Sequence, residues 1–273
     1  MQQDHPNPAR SPVHTRLTGL AAAAMTAWLV TVNAATFAQA DDLPPMADAT
    51  LVAPAETGWR FTAAPYAWMA GLSGDVSIAG YGSTHLDVGF GDVFKSLDFV
   101  AMVVAEARYG RVALLSDFVY LMVSNKVQAP NGMKARLDTD VIQWTPSLSY
   151  SLLSGSAGHL DVVAGARLWS VETSARLLST AYSYHADDQW IDAIGGIRGS
   201  FDLTDKLFVH GWALAGAGGS DLVWDLLGSI GYRLNNSASL MAGYRAQGVD
   251  YRNGGFRFDA EIKGPAISAL IRF

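Results

Sequence analysis

Hydrophobic and polar residues alternate with a period of two along most of this 273-residue chain beyond residue 58. Between Ile142 and Leu152 the apolar series is Ile142, Trp144, Pro146, Leu148, Tyr150 and Leu152, and the polar series between them is Gln143, Thr145, Ser147, Ser149 and Ser151. Successive side chains of a strand point to opposite sides, so this run predicts a strand with one apolar and one polar face.

The same alternation recurs along the chain and predicts ten strands, at 59–69, 98–109, 111–123, 139–152, 159–172, 189–203, 206–218, 222–234, 238–251 and 257–273. Tight turns such as Tyr109-Gly110-Arg111 and Asn235-Asn236-Ser237 alternate with connections that are mostly longer, at 70–97, 124–138 and 173–188. That layout is typical of outer-membrane barrels. We therefore predict an all-β fold, an antiparallel up-and-down transmembrane β-barrel of about ten strands. Eight or twelve strands are the alternatives, because 70–97 is difficult to divide.

The charged residues within these strands fall mostly on the polar face and form a predicted lumen network: Arg60, Glu106, Arg108, Asp117, Asp161, Arg167, Asp192, Arg198, Asp225, Arg233 and Arg245. Alternation alone would also suit a soluble, lipocalin-like barrel, which would place these charges outside. An arginine or lysine facing lipid at mid-membrane costs about 2–4 kcal/mol. A membrane barrel with the charges inside is therefore favoured.

Aromatic residues on the apolar face support this choice. One set lies beside the short turns and is predicted to form a girdle at one membrane interface: Tyr109, Tyr150, Phe201, Tyr232 and Phe273. Phe99, Tyr120 and Trp224 lie near the opposite strand ends. The strand at 206–218 is ambiguous, because both its faces are apolar; we expect Phe208, His210, Trp212 and Leu214 to face inward, which keeps His210 out of lipid.

The first 40 residues resemble a signal peptide. Arg10 and Arg16 precede an apolar stretch that ends at the cleavage motif Ala38-Gln39-Ala40, although a retained transmembrane anchor is the alternative. Residues 41–58 are predicted to be a flexible periplasmic lead-in, and 59–273 the barrel domain. No later stretch is long and apolar enough for a transmembrane helix, so crossing a membrane would require a closed barrel. We expect the Gram-negative outer membrane as the location after cleavage.

Composition excludes several kinds of chemistry. There is no cysteine, hence no disulfide framework or thiolate metal site, and the net charge of −6 argues against a nucleic-acid partner. The spacing of the six histidines does not predict a metal site. His185-Ala186-Asp187-Asp188 could serve an Asp/His protease, but it more simply forms a solvated loop, and Ser154 and Ser156 lack a base. No cofactor and no catalytic residue are predicted.

Four Gly-x-Arg motifs and the final strand carry a resemblance to a known group: Gly165-Ala166-Arg167, Gly196-Ile197-Arg198, Gly231-Tyr232-Arg233, Gly243-Tyr244-Arg245 and Ile271-Arg272-Phe273, together with Pro65-Tyr66-Ala67-Trp68. The chain resembles poorly characterised bacterial outer-membrane β-barrel proteins related in architecture to the OmpW and OmpA barrels. The resemblance covers nearly all of 59–273 and implies outer-membrane lipid as a partner. It also implies recognition of the C-terminal strand by the barrel-assembly machinery. Trp212 departs from this pattern, because a smaller or acidic residue is expected there.

Two hypotheses remain open for the lumen. The arginines could form a cationic constriction of a narrow channel, or pair with the carboxylates and fill the barrel, which is usual in small barrels. The segment around Asp92, Val93, Phe94 and Leu97 is predicted to form a helical turn capped by Asp92. It could cover the rim, or fold inward as a plug or part of a pocket for a small apolar ligand. A non-enzymatic structural or surface-interaction role is favoured, with a channel or carrier for small solutes or apolar ligands as the alternative.

Overall fold

The computed structural model describes residues 58–78, 82–128, 134–177, 183–253 and 256–273. The predicted signal peptide at 1–40 and all but Gly58 of the predicted lead-in at 41–58 lie outside the described residues. The described chain forms one helix and twelve strands: β1 (Trp59–Trp68), β2 (Gly71–Ile78), β3 (Gly82–Val88), α1 (Phe90–Ser96), β4 (Leu97–Tyr109), β5 (Val112–Gln128), β6 (Lys134–Gly155), β7 (Gly158–Leu177), β8 (Ser183–Asp202), β9 (Leu207–Gly218), β10 (Leu222–Arg233), β11 (Ala238–Asn253) and β12 (Phe256–Arg272). None of the helical segments within the described ranges is long and apolar enough to span a bilayer.

Ten of these strands close into an antiparallel barrel. Strands β4 to β12 each pair with the next along the chain, and β1 completes the cylinder by pairing with β4 on one side and β12 on the other. The tight turn between β4 and β5 contains Gly110, whose φ of 56° lies in the left-handed region that glycine adopts without strain. The predicted up-and-down barrel is confirmed, with ten strands in the closed wall.

The prediction of one long loop at 70–97 was wrong. Strands β2 and β3 form a hairpin in this segment. Strand β2 pairs with the N-terminal half of β12, residues 256–263, which we call its outer half; the C-terminal half is its inner half. The inner half of β12 pairs with β1, from Thr62↔Arg272 to Trp68↔Ala266. Its outer half pairs with β2, from Gly71↔Lys263 onward. Two successive strands, β1 and β2, therefore share one edge of β12. The sequence did not predict this hairpin, because 71–88 is rich in glycine and serine and its hydrophobic alternation is weak.

Much of the other predicted long loops is also strand. Pairing between β5 and β6 continues from Ser124↔Asp138 to Gln128↔Lys134, inside the predicted loop at 124–138. Strands β7 and β8 likewise pair as far as Arg176↔Ser183, inside the predicted loop at 173–188. These polar extensions continue the barrel wall beyond the band of outward apolar side chains, which we call the apolar belt. Polar composition on both faces concealed them, because no apolar face toward lipid is needed there.

As predicted, the described apolar side chains face outward and the polar side chains face inward, which is the reverse of a soluble barrel. On β6 the outward Trp144, Leu148 and Leu152 are exposed, whereas the inward Gln143 and Thr145 are buried. On β9 the inward Phe208 is only 3% exposed, while Leu207 on the other face is exposed, so the predicted orientation of this ambiguous strand is confirmed. The barrel therefore has an apolar exterior and a polar, filled interior.

Candidate functional site: the filled lumen

Arg245 on β11 is the centre of the largest group of interactions inside the barrel. Its Nε donates to Asp225 Oδ1 at 3.1 Å, and its Nη2 donates to Asp225 Oδ2 and Asp117 Oδ2, both at 2.7 Å. Its Nη1 donates to the Tyr66 hydroxyl at 2.8 Å, and that hydroxyl donates to Asp117 Oδ1 at 2.8 Å. Four strands thus converge on one guanidinium group.

A second arginine balances the charge of this group. Arg167 on β7 donates from Nη2 to Asp225 Oδ2 at 2.6 Å and from Nε to the Thr145 hydroxyl at 3.1 Å. We call Asp117, Arg167, Asp225 and Arg245 the central quartet, which holds two cations and two anions. Asp225 and Arg167 are essentially inaccessible to solvent. Buried charges are tolerated when they are paired and hydrogen-bonded, as here.

Aromatic rings enclose the Arg245 guanidinium. Its central carbon lies 4.9 Å from the ring centroid of Trp68, 5.1 Å from that of Trp212 and 5.8 Å from that of Tyr66. Trp212 also donates from Nε1 to Asp225 Oδ1 at 2.9 Å. Trp212, which departed from the expected pattern, therefore contacts one cation and one anion of the central quartet, Arg245 and Asp225, and its large ring covers the Arg245 guanidinium.

A second charge-balanced group lies nearer the short turns. Arg108 donates to Glu106 Oε1 at 2.7 Å, to Asp161 Oδ2 at 2.5 Å and to the Ser151 hydroxyl at 2.6 Å. Arg198 donates to Glu106 Oε2 at 2.5 Å. We call Glu106, Arg108, Asp161 and Arg198 the lower quartet. Asp161 accepts a further bond from Ser151 at 2.7 Å, so its carboxylate is held from two sides.

The three other predicted network residues, Asp192, Arg233 and Arg60, are not members of the quartets. Asp192 is buried and accepts bonds from the Ser220 backbone nitrogen at 2.7 Å and hydroxyl at 3.0 Å; among the described residues no cation lies within ion-pair distance of it, so the expected arginine pairing was wrong there. Arg233 pairs with Asp202 beside the short turns. Arg60 is exposed near the start of β1.

A third level of contacts closes the outer part of the lumen. Gln247 on β11 donates to Gln143 on β6 at 2.9 Å, across the barrel. Trp190 stacks on Trp169, with ring centroids 5.5 Å apart, and on Tyr251, at 4.5 Å. These rings pack in an apolar cluster with Ile194, Val223 and Val249. Side chains from opposite walls therefore meet at this level as well as at the two quartets.

Space remains between the quartets. A cavity of about 70 Å³ lies inside the barrel and is lined by Val104, Leu227, Met241 and Leu270 together with charged members of both quartets. A second cavity of about 50 Å³ lies on the β5–β7 side. Each could hold a few water molecules but is smaller than the roughly 150 Å³ that accommodates a benzene molecule.

Outside the apolar belt, charged side chains pair on the surface of the strand extensions. Arg136 donates to Asp138 Oδ1 at 2.7 Å, and Ser124 donates to the same oxygen at 2.7 Å. The hydrogen bond from Arg136 lowers the pKa of the Asp138 carboxyl, and the bond from Ser124 adds to the effect. Ser124 also contacts Asp98. This partly exposed group lies on the strand extensions.

The segment around Phe94 forms α1, but the predicted cap is wrong. The helix begins at Phe90 after Gly89, and Asp92 lies in its first turn, where it pairs with Lys95 at 3.1 Å. None of the helical residues is buried; Val93 is partly covered and Phe94 is 62% exposed. The five girdle residues Tyr109, Tyr150, Phe201, Tyr232 and Phe273 are exposed on the outer surface near the short turns.

Two of the residues considered for catalysis, His185 and Asp188, lie on opposite faces of β8. His185 faces Ser174, with 3.1 Å between ring nitrogen and hydroxyl oxygen, while Asp188 accepts a bond from Tyr251 at 2.9 Å on the inner side. Strand alternation thus separates these two side chains. Within the described ranges no three histidine or acidic side chains are grouped as metal ligands.

Sequence reasoning missed Tyr66 and Trp68 as members of the central site. They are spaced by two residues from Thr62 and Ala64 and so share the inward face of β1, which the sequence could have shown. The sequence could not show that this face meets Arg245. The strands β1 and β11 are distant in the chain and come close only because both pair with β12.

No protein-family model matches the chain, and no curated protein sequence matches it. Among solved structures, the outer membrane protease OmpT from Escherichia coli is similar over 82% of this chain and 100% of its own, with 9% identity and a TM-score of 0.52. The translocator domain of the autotransporter NalP from Neisseria meningitidis covers 80% of this chain and 89% of its own, with 13% identity and a TM-score of 0.47. The likeness to OmpT shows a fold shared with an outer-membrane β-barrel, and so confirms the barrel architecture that the resemblance implied.

Proposed function

We propose that this protein is a non-enzymatic β-barrel of the Gram-negative outer membrane with a closed lumen and a structural or surface-interaction role. The observation that carries the proposal is the pair of charge-balanced quartets, which join opposite walls by direct hydrogen bonds. The quartet arginines are committed to neighbouring carboxylates, so they offer little free positive charge to a passing anion. A barrel filled in this way serves as a rigid scaffold for its outer surface and rim.

The location rests on the exterior. Exposed apolar side chains cover the outward face of successive strands, and a face of this size would be unfavourable in water. In lipid it is the expected surface of a barrel, with outer-membrane lipid as the partner. The apolar outward face of β12, ending beside Phe273, is the surface we assign to recognition by the barrel-assembly machinery.

Planar-bilayer recording tests the closed lumen. The refolded barrel should show little or no steady conductance. Arg167→Ala and Arg198→Ala should each lower the free energy of unfolding and leave the conductance low. Arg252→Ala is the matched control, because Arg252 pairs with Asp250 on the exposed extension, outside the lumen. A large, steady, anion-selective conductance of the unaltered protein would reject the proposal.

Electrophoresis without boiling tests the membrane barrel itself. A closed barrel resists unfolding by detergent, so the unboiled protein should migrate differently from the boiled protein. Fractionation should recover it with outer membranes. Recovery of a lipid-free, water-soluble monomer from the periplasm would exclude this location.

The alternative function is a narrow channel or a carrier of small solutes or apolar ligands. The lumen cavity between the quartets favours it, although its volume of about 70 Å³ suits water better than an apolar molecule. Native mass spectrometry tests the carrier. An apolar molecule that co-purifies with the protein would favour the carrier over the closed scaffold.

A further inference from the structure

Helix α1 is amphipathic, and the residues that the structure describes leave its two phenylalanines exposed. At 3.6 residues per turn, Phe90, Val93 and Phe94 share one side, while Asp92 and Lys95 lie on the other. The rings of Phe90 and Phe94 lie 5.7 Å apart and form one exposed surface. A short helix gains little stability from its own hydrogen bonds, so burial of this apolar side would contribute much of its stability.

The C-terminal end of α1 leads directly into the apolar belt. Strand β4 begins at Leu97, and Phe99 lies 50% exposed two residues further on. Phe99 packs on Tyr120 of β5, with ring centroids 5.7 Å apart, at the outer end of the belt. The aromatic side of α1 is therefore followed in sequence by Phe99, an aromatic residue on the outward face of the belt.

The N-terminal end of α1 lies beside the same outer surface. A side chain built at Gly71 would meet the carbonyl oxygen of Val88 at 3.0 Å and the backbone nitrogen of Phe90 at 3.5 Å. Gly71 pairs with Lys263, which shares the outward face of β12 with Pro265 and Ile267. The chain thus enters α1 next to the outward face of the wall, at the level where β12 changes from charged to apolar side chains.

We infer that α1 lies flat in the outer membrane interface, with Phe90 and Phe94 inserted in outer-leaflet lipid and the Asp92–Lys95 pair toward water. Its partner is the bilayer, because Phe90 and Phe94 are exposed and the helix leads directly into the lipid-facing belt at Phe99. An amphipathic helix of this kind inserts its apolar side at the boundary between headgroups and acyl chains. This interaction surface goes beyond the proposed function and gives the Phe94 segment a role other than that of a plug or ligand loop.

Site-specific fluorescence tests this inference, and the absence of cysteine makes single labels straightforward. The mature chain with Phe94→Cys carries an environment-sensitive label and is refolded into phosphatidylcholine vesicles. Quenching by lipids with a spin label high on the acyl chain is compared with quenching by aqueous iodide. We expect blue-shifted emission, strong quenching by the lipid and weak quenching by iodide. Quenching by iodide alone would place Phe94 in water, and quenching by neither would place it inside the barrel; each result overturns the inference.

Two further variants separate the possible failures. Phe99→Cys, in the belt, should be quenched by lipid whether or not α1 inserts; if it is not, the membrane assignment itself fails. Lys95→Cys retains both phenylalanines and should show partial quenching by lipid. Adding Phe90→Ala and Phe94→Ala to Lys95→Cys should abolish that quenching and increase quenching by iodide. Unchanged quenching in the triple variant would show that the aromatic side does not hold the helix at the interface.

Discussion

Trp212 and Arg245 lie against each other in the middle of the barrel, with the guanidinium carbon 5.1 Å from the ring centroid. The same indole donates to Asp225, which is also the acceptor of two bonds from Arg245. The tryptophan therefore supports both partners of a buried ion pair. A smaller side chain at 212 would leave the cation with fewer contacts and the carboxylate with one donor fewer.

Replacing Trp212 by phenylalanine tests this relationship. The ring over Arg245 remains, but the hydrogen bond to Asp225 is lost, so we expect the free energy of unfolding to fall by about 1–3 kcal/mol. Urea unfolding in detergent micelles, followed by circular dichroism, measures the change. Trp144→Phe is the control, because the Trp144 indole donates to Ser116 on the exposed outer surface. An equal loss in the two variants would contradict the role assigned to Trp212.

Removing Arg245 should be more severe. Arg245→Met removes the ion pair of Asp117 and leaves Asp225 with Arg167, and an unpaired buried charge typically costs about 3–5 kcal/mol. Arg252→Met, on the exposed extension, should cost about 0–1 kcal/mol. Unfolding midpoints of the two variants in the same detergent give the comparison. Similar stabilities would mean that the central quartet is not a structural centre.

Two glycines of β10 provide a matched test of the inner and outer faces. A methyl group at Gly231 would overlap the ring of the buried Phe208, whereas no atom of the described residues beyond its chain neighbours lies within 4 Å of the same position at Gly228. We expect Gly231→Ala to destabilise the barrel by about 1–3 kcal/mol, as overpacking does. Gly228→Ala should be close to neutral. The reverse order would show that the two faces of β10 are assigned incorrectly.

A charge on the exterior tests the lipid environment. Leu226 is outward and half exposed in the middle of β10, so Leu226→Arg should cost about 2–4 kcal/mol in a bilayer. Leu234→Arg, beside the short turn, should cost about 0–1 kcal/mol. Refolding equilibria in vesicles measure both. If Leu226→Arg is tolerated as well as Leu234→Arg, the outward face is not in lipid.

The sequence predicts the barrel well where its two faces differ chemically. Trp144 and Thr145 are assigned to opposite faces by alternation alone, because only one of them suits lipid. The β2–β3 hairpin escaped prediction, since its sequence is rich in glycine and serine and shows no such contrast. Partners across the lumen escaped it too. Nothing near Arg245 in the sequence indicates that it contacts Tyr66, because that contact depends on closure of the barrel by strands distant in the chain.

The division of one edge of β12 between β1 and β2 has a consequence for how the barrel acquires its shape. Every pairing across that seam joins residues from the two ends of the described chain, as Thr62 and Arg272 do. Contacts so remote in sequence carry a high loop-closure cost and form late when the chain folds. Until they form, the growing sheet has an open edge, and Asp117 and Arg245 lack their hydrogen bonds with Tyr66. Closing the seam and completing the ionic contacts of the lumen are therefore expected to be one cooperative step.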